Sequence, residues 1–150
     1  MSTNGNFTPQ RIEAFIDLGL TGSSASSGST FQAVKLNRVY KATGAFTASA
    51  LNTSTGYVTI PETGTYLMFG SVRAMDGTNI TSPGIGINTT PQDGYWFKWC
   101  PVTTTVRKVF DFQRLMYLTK GQRVCLYTYE WTGNYDSSGT SMQLMLMSTD

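Results

Sequence analysis

The stretch from Gly56 to Gly70, Gly-Tyr-Val-Thr-Ile-Pro-Glu-Thr-Gly-Thr-Tyr-Leu-Met-Phe-Gly, limits the possible folds more than any other part of the chain. It reads as strand, turn, strand. Tyr57, Val58 and Ile60 are β-formers in a short run, and Pro61 stops that run because it has no backbone N–H to give to a ladder. Gly64 then supplies the turn of an expected hairpin. Tyr66, Leu67, Met68 and Phe69 are apolar on both faces of any strand they form, so a central strand covered on both sides is expected.

The rest of the chain asks for the same class. With 150 residues it can fill one core and is short for two domains. It is rich in Ser and Thr and contains 15 Gly, a bias of short strands joined by polar turns. From Phe31 onward, turn residues recur at the spacing of a sandwich. Thr104 to Leu118 reads as one long β run in which Val106, Phe110 and Phe112 share a parity and Leu115 and Tyr117 take the other, so a bulge near Gln113 is expected. After the Lys120-Gly121 turn, Val124 to Tyr129 pairs back. The last run, Met142 to Met147, is apolar at nearly every position, which a two-layer sandwich with one face in water does not explain. Something must cover its outer face.

Residues 1–28 differ from the remainder. Thr8 and Pro9 have the pattern of an N-cap followed by proline at the first helical position, and Ile12, Phe15 and Ile16 then share a helical face before Gly19. A short helix over 9–18 is expected within a docking segment 1–20, followed by a flexible Gly/Ser linker 21–30 and a β domain over 31–150. A leader with a chance helical pattern is the other reading. No signal-peptide pattern, membrane-length apolar run or Gly-X-Y repeat occurs in the chain.

Chemistry is easier to exclude than to find. The chain has no histidine, which removes the usual general base of Ser and Cys nucleophile systems and the commonest zinc ligand. The nine carboxylates lack calcium-loop spacing, and no glycine-rich phosphate loop opens a helix, so no enzyme activity and no cofactor is expected. A net charge of +2 from dispersed residues gives no case for nucleic acid or for membrane insertion. Cys100 and Cys125 lie in or beside apolar β runs and read as buried thiols ahead of a disulfide. Tyr95 to Trp99 reads as a strand feeding core or a subunit contact, with an aromatic ligand platform as the alternative. Trp131 to Thr140 reads as a polar loop. It is either an ordinary connection or a ligand loop built on Trp131, Asn134, Tyr135 and Asp136.

The Gly56–Gly70 pattern, with Leu115 to Leu126 read as a leucine, Lys-Gly, Val-x-Leu hairpin and Ser141 to Met147 as a last buried strand, resembles the tumour-necrosis-factor-like jelly rolls, especially the complement-type globular heads. The resemblance spans residues 30–148. Gln122, where an acid is usual, and Ser-Met-Gln near the end, in place of Phe-Ser-Gly, depart from it. It implies an all-β jelly-roll sandwich of about ten strands, with a short N-terminal helix or arm. It also implies a homotrimer around a threefold axis. Tyr57, Tyr66, Phe69, Tyr127, Tyr129, Leu144 and Leu146 are then candidates for axis or core, and Ile12, Phe15 and Ile16 for docking to a capsid or fibre partner. The function implied is a non-enzymatic virion-surface protein, a phage capsid decoration or fibre knob, that adheres to a host glycan or protein. A secreted complement-type binding head, extracellular in location, is the alternative.

Overall fold

The computed structural model describes residues 14–22, 24–26, 32–75, 79–87, 96–97 and 108–149. Along the chain run β1 (Ala14–Gly19), β2 (Ser24–Ser26), β3 (Gln32–Ala33), β4 (Arg38–Thr43), a 3₁₀ turn at Ala48–Ala50, β5 (Leu51–Asn52) and β6 (Tyr57–Thr59). There follow β7 (Gly64–Ala74), β8 (Asn79–Ile87), β9 (Trp96–Phe97), β10 (Lys108–Leu118), β11 (Arg123–Tyr135), a second 3₁₀ turn at Ser137–Gly139, and β12 (Ser141–Ser148). One sheet has the order β4-β1-β12-β7-β10, antiparallel throughout. The other has the order β5-β6-β11-β8-β9, with β3 beside β6 on the same edge of β11. Apart from β5–β6 and β8–β9, neighbours in the two sheets are not consecutive in sequence, as expected of a jelly roll.

The core lies between the sheets. Ile16, Leu18, Met68 and Leu144 from the first meet Val34, Leu36, Val58 and Leu126 from the second, all with no exposed surface. Burial of each such aliphatic side chain contributes about 1.5–3 kcal/mol. The edge of the Phe46 ring meets Tyr66 with centroids 6.1 Å apart, and the Tyr66 hydroxyl donates to the Glu62 carbonyl at 2.6 Å. That bond satisfies the one polar atom the ring brings into the core.

The expected hairpin over Gly56–Gly70 is instead a crossing between sheets. β6 pairs with β5 and β11, whereas β7 pairs with β10 and β12, so the short Ile60-to-Thr63 connection carries the chain across the core. Pro61 does end β6, but Gly64 is already the first residue of β7. β7 is central in its sheet, yet only its even-numbered residues are buried; Thr65, Leu67, Phe69, Ser71 and Arg73 stay partly exposed.

The N-terminal expectation is also corrected. Residues 14–19 form a strand, not the end of a helix, and it is a central one, bonded to β12 on one edge and β4 on the other. Ala14, Ile16 and Leu18 alternate inward into the core, a period of two that competes in the sequence with the helical spacing of Phe15 and Ile16. The linker expected over 21–30 contains β2, which pairs with Gly133–Tyr135 of β11. The jelly roll therefore begins by Ala14, not at residue 31.

The bulge expected near Gln113 is absent: β10 pairs with β7 in unbroken register from Lys108–Ala74 to Leu118–Gly64. Phe110 and Phe112 point in, while Leu115 and Tyr117 point out and are 62% and 64% exposed. What looked like a change of phase is an apolar outer face. The Lys120-Gly121 turn stands as read, with Gly121 at φ 88°, a conformation that a β-carbon disfavours.

Trp131 to Thr140 is not a loop over its first half. β11 leaves the second sheet after pairing with β8 and joins the first, where Gly133–Tyr135 bonds to β2 and Tyr135 to Ala74. This passage carries Trp131 and Tyr135, each 1% exposed, into the core. The two rings pack 4.8 Å apart, Phe110 meets Trp131 edge-on at 6.4 Å, and the Tyr135 and Thr128 hydroxyls share a 2.6 Å hydrogen bond. Ile12, Tyr95, Trp99 and Cys100 lie outside the described residues, as does the Tyr129 side chain.

Candidate functional site

The outward side chains of the first sheet form a continuous surface, and strand register arranges them in cross-strand rows. One row is Phe15, Met145, Leu67 and Leu115. The next is Asp17, Gln143, Phe69 and Gln113; the third is Gly19, Ser141, Ser71 and Asp111. Tyr117 lies beyond the first row on β10, so the face grades from apolar at one end of the strands to polar at the other. At the apolar end a hollow of about 370 Å³ is lined by Phe15, Asp17, Phe69, Gln143 and Met145.

The third row is a trough because its floor residues are small. Between Gln143 and Phe69 on one side and the Ser137–Gly139 turn on the other, Ser141 and Ser71 leave open space, and hollows of about 680 Å³ and 280 Å³ meet over them. At one end the Tyr40 ring lies across Gly19, where a β-carbon would fall 2.2 Å from the ring. The absence of a side chain at Gly19 thus seats Tyr40 on the sheet while half of it stays exposed. Gln143 Nε2 donates to Asp17 Oδ1 at 3.0 Å across β1 and β12, which orients both side chains on the floor.

The wall behind the trough is tied together by hydrogen bonds and an ion pair. Asp136 accepts from the Ser138 backbone N–H at 3.0 Å and from its hydroxyl at 2.7 Å, capping the 3₁₀ turn, and pairs with Arg73 Nε at 3.5 Å. Arg73 Nη1 also donates to Ser138 Oγ at 2.8 Å, and the Ser71 hydroxyl to the Gly139 carbonyl at 3.0 Å. Asp136→Ala is expected to lower stability by about 1 kcal/mol, the usual worth of such a cap, as measured by chemical denaturation; an unchanged midpoint would show that the turn holds without it.

The residues singled out from sequence divide accordingly. Phe69 and Phe15 are on the outer face, whereas Ile16, Tyr66, Leu144 and Leu146 are in the core. Tyr127 is buried on the second sheet. Tyr57, on that sheet, sits beside Cys125 and under Arg123, whose guanidinium is 5.5 Å from the ring; burial and the neighbouring thiol push its phenol up to about 12. Of the ligand-loop group, Trp131 and Tyr135 are core, Asp136 is a cap, and Asn134 is exposed, with its carbonyl bonded to the Met75 N–H. Sequence reasoning did not single out Tyr40, Asp17, Met145 or Gln143. The odd-numbered positions of Met142 to Met147 carried the available signal, an outer face opposite Met142, Leu144 and Leu146.

Among the described residues no group of three or more His, Cys, Asp or Glu gathers to hold a metal, and no helix is long and apolar enough to cross a membrane. No family model and no curated protein matches the chain. Solved structures do. The globular domain of zebrafish complement 1qA is similar over 91% of this chain and 99% of its own, at 15% identity and a TM-score of 0.68. Eiger TNF from S. frugiperda is similar over 93% and 96%, at 15% identity and a TM-score of 0.67. Murine APRIL is similar over 89% and 98%, at 13% identity and a TM-score of 0.64. In strand order and core, and in its likeness to these structures, the chain is a jelly roll of the tumour-necrosis-factor-like fold.

Proposed function

We propose that the chain is a non-enzymatic adhesive head that assembles as a homotrimer through the apolar end of its open sheet. The observation that carries this is the row Phe15, Met145, Leu67 and Leu115 with Tyr117 beyond it, an apolar row over four strands that the described residues leave exposed at Leu115 and Tyr117 and half-buried at Phe15, Met145 and Leu67. Such a surface has a cost in water that association removes. A second and third copy are the occupants the resemblance implies, and the likeness to complement and TNF-type heads supports the same choice.

In this reading the setting is a virion surface, as a phage capsid decoration or fibre knob. The resemblance to the tumour-necrosis-factor-like jelly rolls, which also form knobs on phage and viral spikes, supports it. Attachment to a capsid or fibre partner then falls to residues ahead of Ala14, because Ile16 is consumed by the core and Phe15 by the assembly face. An extracellular binding head of the complement type is the alternative, and co-sedimentation with purified particles separates them: binding to particles supports the first, its absence the second.

The test of assembly is sedimentation of the full chain beside Met145→Asp and Leu115→Asp. The parent is expected to run as a trimer at micromolar concentration, and both variants as folded monomers, since a carboxylate in a dry interface loses solvation that the partner does not replace. A monomeric parent, or trimers from both variants, would sink the proposal.

A further inference from the structure

The cations of the chain are dispersed as a whole, with one exception. Between Asp17 and Glu62 the sequence holds no carboxylate, and its cations there are Lys35, Arg38 and Lys41, each three residues from the next. The fold places them along β4 and the residues leading into it, at the edge of the first sheet beyond β1, and all of them are exposed. This strip lies outside the assembly row. That row ends at Phe15 on β1, and β4 continues it only with Thr43, whose hydroxyl accepts from the Phe15 N–H at 3.2 Å. Lys35, Arg38 and Lys41 line none of the three hollows on the outer face of that sheet.

Local geometry orients the central charge. Leu18 faces Val39 and Asp17 faces Lys41, so Tyr40 is an extra residue in β4, a bulge of the kind that re-aims side chains at a sheet edge. The Tyr40 ring lies across Gly19, and the Arg38 guanidinium sits over that ring, 4.9 Å from its centre. A stacked guanidinium keeps its N–H groups in its own plane, where a sulfate, phosphate or carboxylate can take two of them at once. The carboxylate facing the strip is Asp17. Its Oδ1 accepts from the Gln143 amide, and among the described residues no ion pair joins it to Lys41, or any carboxylate to Lys35 or Arg38. A charged edge also discourages strand pairing, but that role accounts for neither the seat of Tyr40 on Gly19 nor the guanidinium held over its ring.

From this arrangement we infer that the β4 strip binds an acidic polysaccharide, a chain carrying repeated sulfate, phosphate or uronate groups. Cations strung along an edge suit a repeated anion better than a single ion. Nucleic acid fits less well, because the Tyr40 ring is already engaged by Gly19 and Arg38 and makes a poor platform for a base. Three strips on one trimer would raise the apparent affinity for a long chain above that of a single strip.

The inference names the ligand of the adhesive head and so rests on that reading, yet the two can fail separately. The full-length protein is titrated by calorimetry at low ionic strength with heparin fragments, polygalacturonate and a phosphomannan, beside neutral dextran and a single-stranded oligonucleotide of matched charge. Acidic polysaccharide is expected to bind and dextran not, with affinity falling as salt is added. Lys35→Gln with Arg38→Gln should lower that affinity about tenfold or more. Lys120→Gln with Arg123→Gln, which removes the same charge from around the turn between β10 and β11, should leave it unchanged. In the parent protein, bound polysaccharide should shield Lys35 and Lys41 from acetylation but not Lys120, a readout that does not depend on any variant folding. No binding by any acidic polysaccharide, equal losses in the two double variants, equal labelling of the lysines, or tighter binding of the oligonucleotide than of every polysaccharide would each overturn the inference. A trimer that binds no acidic polysaccharide leaves the assembly reading standing; a monomer that binds one through Lys35 and Arg38 does the reverse.

Discussion

Deletion of residues 1–20 is expected to abolish cooperative folding. The deletion removes β1, which supplies backbone bonds to β12 and β4 at once, and with it Ile16, Leu18 and the following Leu20, none more than 2% exposed, from the core. Three aliphatic side chains at about 1.5–3 kcal/mol each amount to a large share of the roughly 5–15 kcal/mol that holds a domain folded. The cut also opens two sheet edges in the middle of the sandwich, and unpaired edges favour aggregation. Circular dichroism should show loss of the thermal transition, with the protein recovered as aggregate. A soluble truncated protein melting near the parent temperature would restore the picture of a separate docking arm and a domain that starts at residue 31.

Trp131→Ala is expected to cost about 3–5 kcal/mol, the usual range for emptying an aromatic site in a core. Trp131 is 1% exposed and packs on both Phe110 and Tyr135, so its removal leaves a cavity that the paired strands around it cannot close. Its indole N–H has no hydrogen-bond partner among the described residues, so Trp131→Phe, which keeps a ring and removes that buried donor, should lose much less. Equilibrium denaturation of the two variants distinguishes the roles. A ligand-loop residue would leave stability unchanged in both, and a core residue should give the large and small losses in that order.

Much of the architecture was legible in residue pattern. The Pro61 stop, the Lys120-Gly121 turn and the apolar runs of β7 and β12 led to an all-β sandwich, because β-branched and aromatic residues between turn formers have few other ways to bury themselves. The need for cover over Met142 to Met147 was legible too, since both parities of that run are apolar. The first residues misled because two periods overlap there. Phe15 and Ile16 belong to a helical spacing, while Ala14, Ile16 and Leu18 belong to a strand, and only the free edges of β12 and β4 decide between them. Trp131 and Tyr135 misled for a related reason: the passage of β11 from one sheet to the other turns a polar, glycine-containing segment into core, and nothing within the segment records that crossing.

The sequence by itself determined which residues could be buried, through alternation and turn chemistry, and that no histidine-based chemistry was available. Tertiary structure alone decided which parity of each apolar strand faces inward, because that depends on the sheet stacked against it. It also brought Asp17, Gln143, Ser71 and Tyr40 together from four strands into one trough. Sites assembled across a sheet depend on register between distant segments, and register is set by the packing of the whole core.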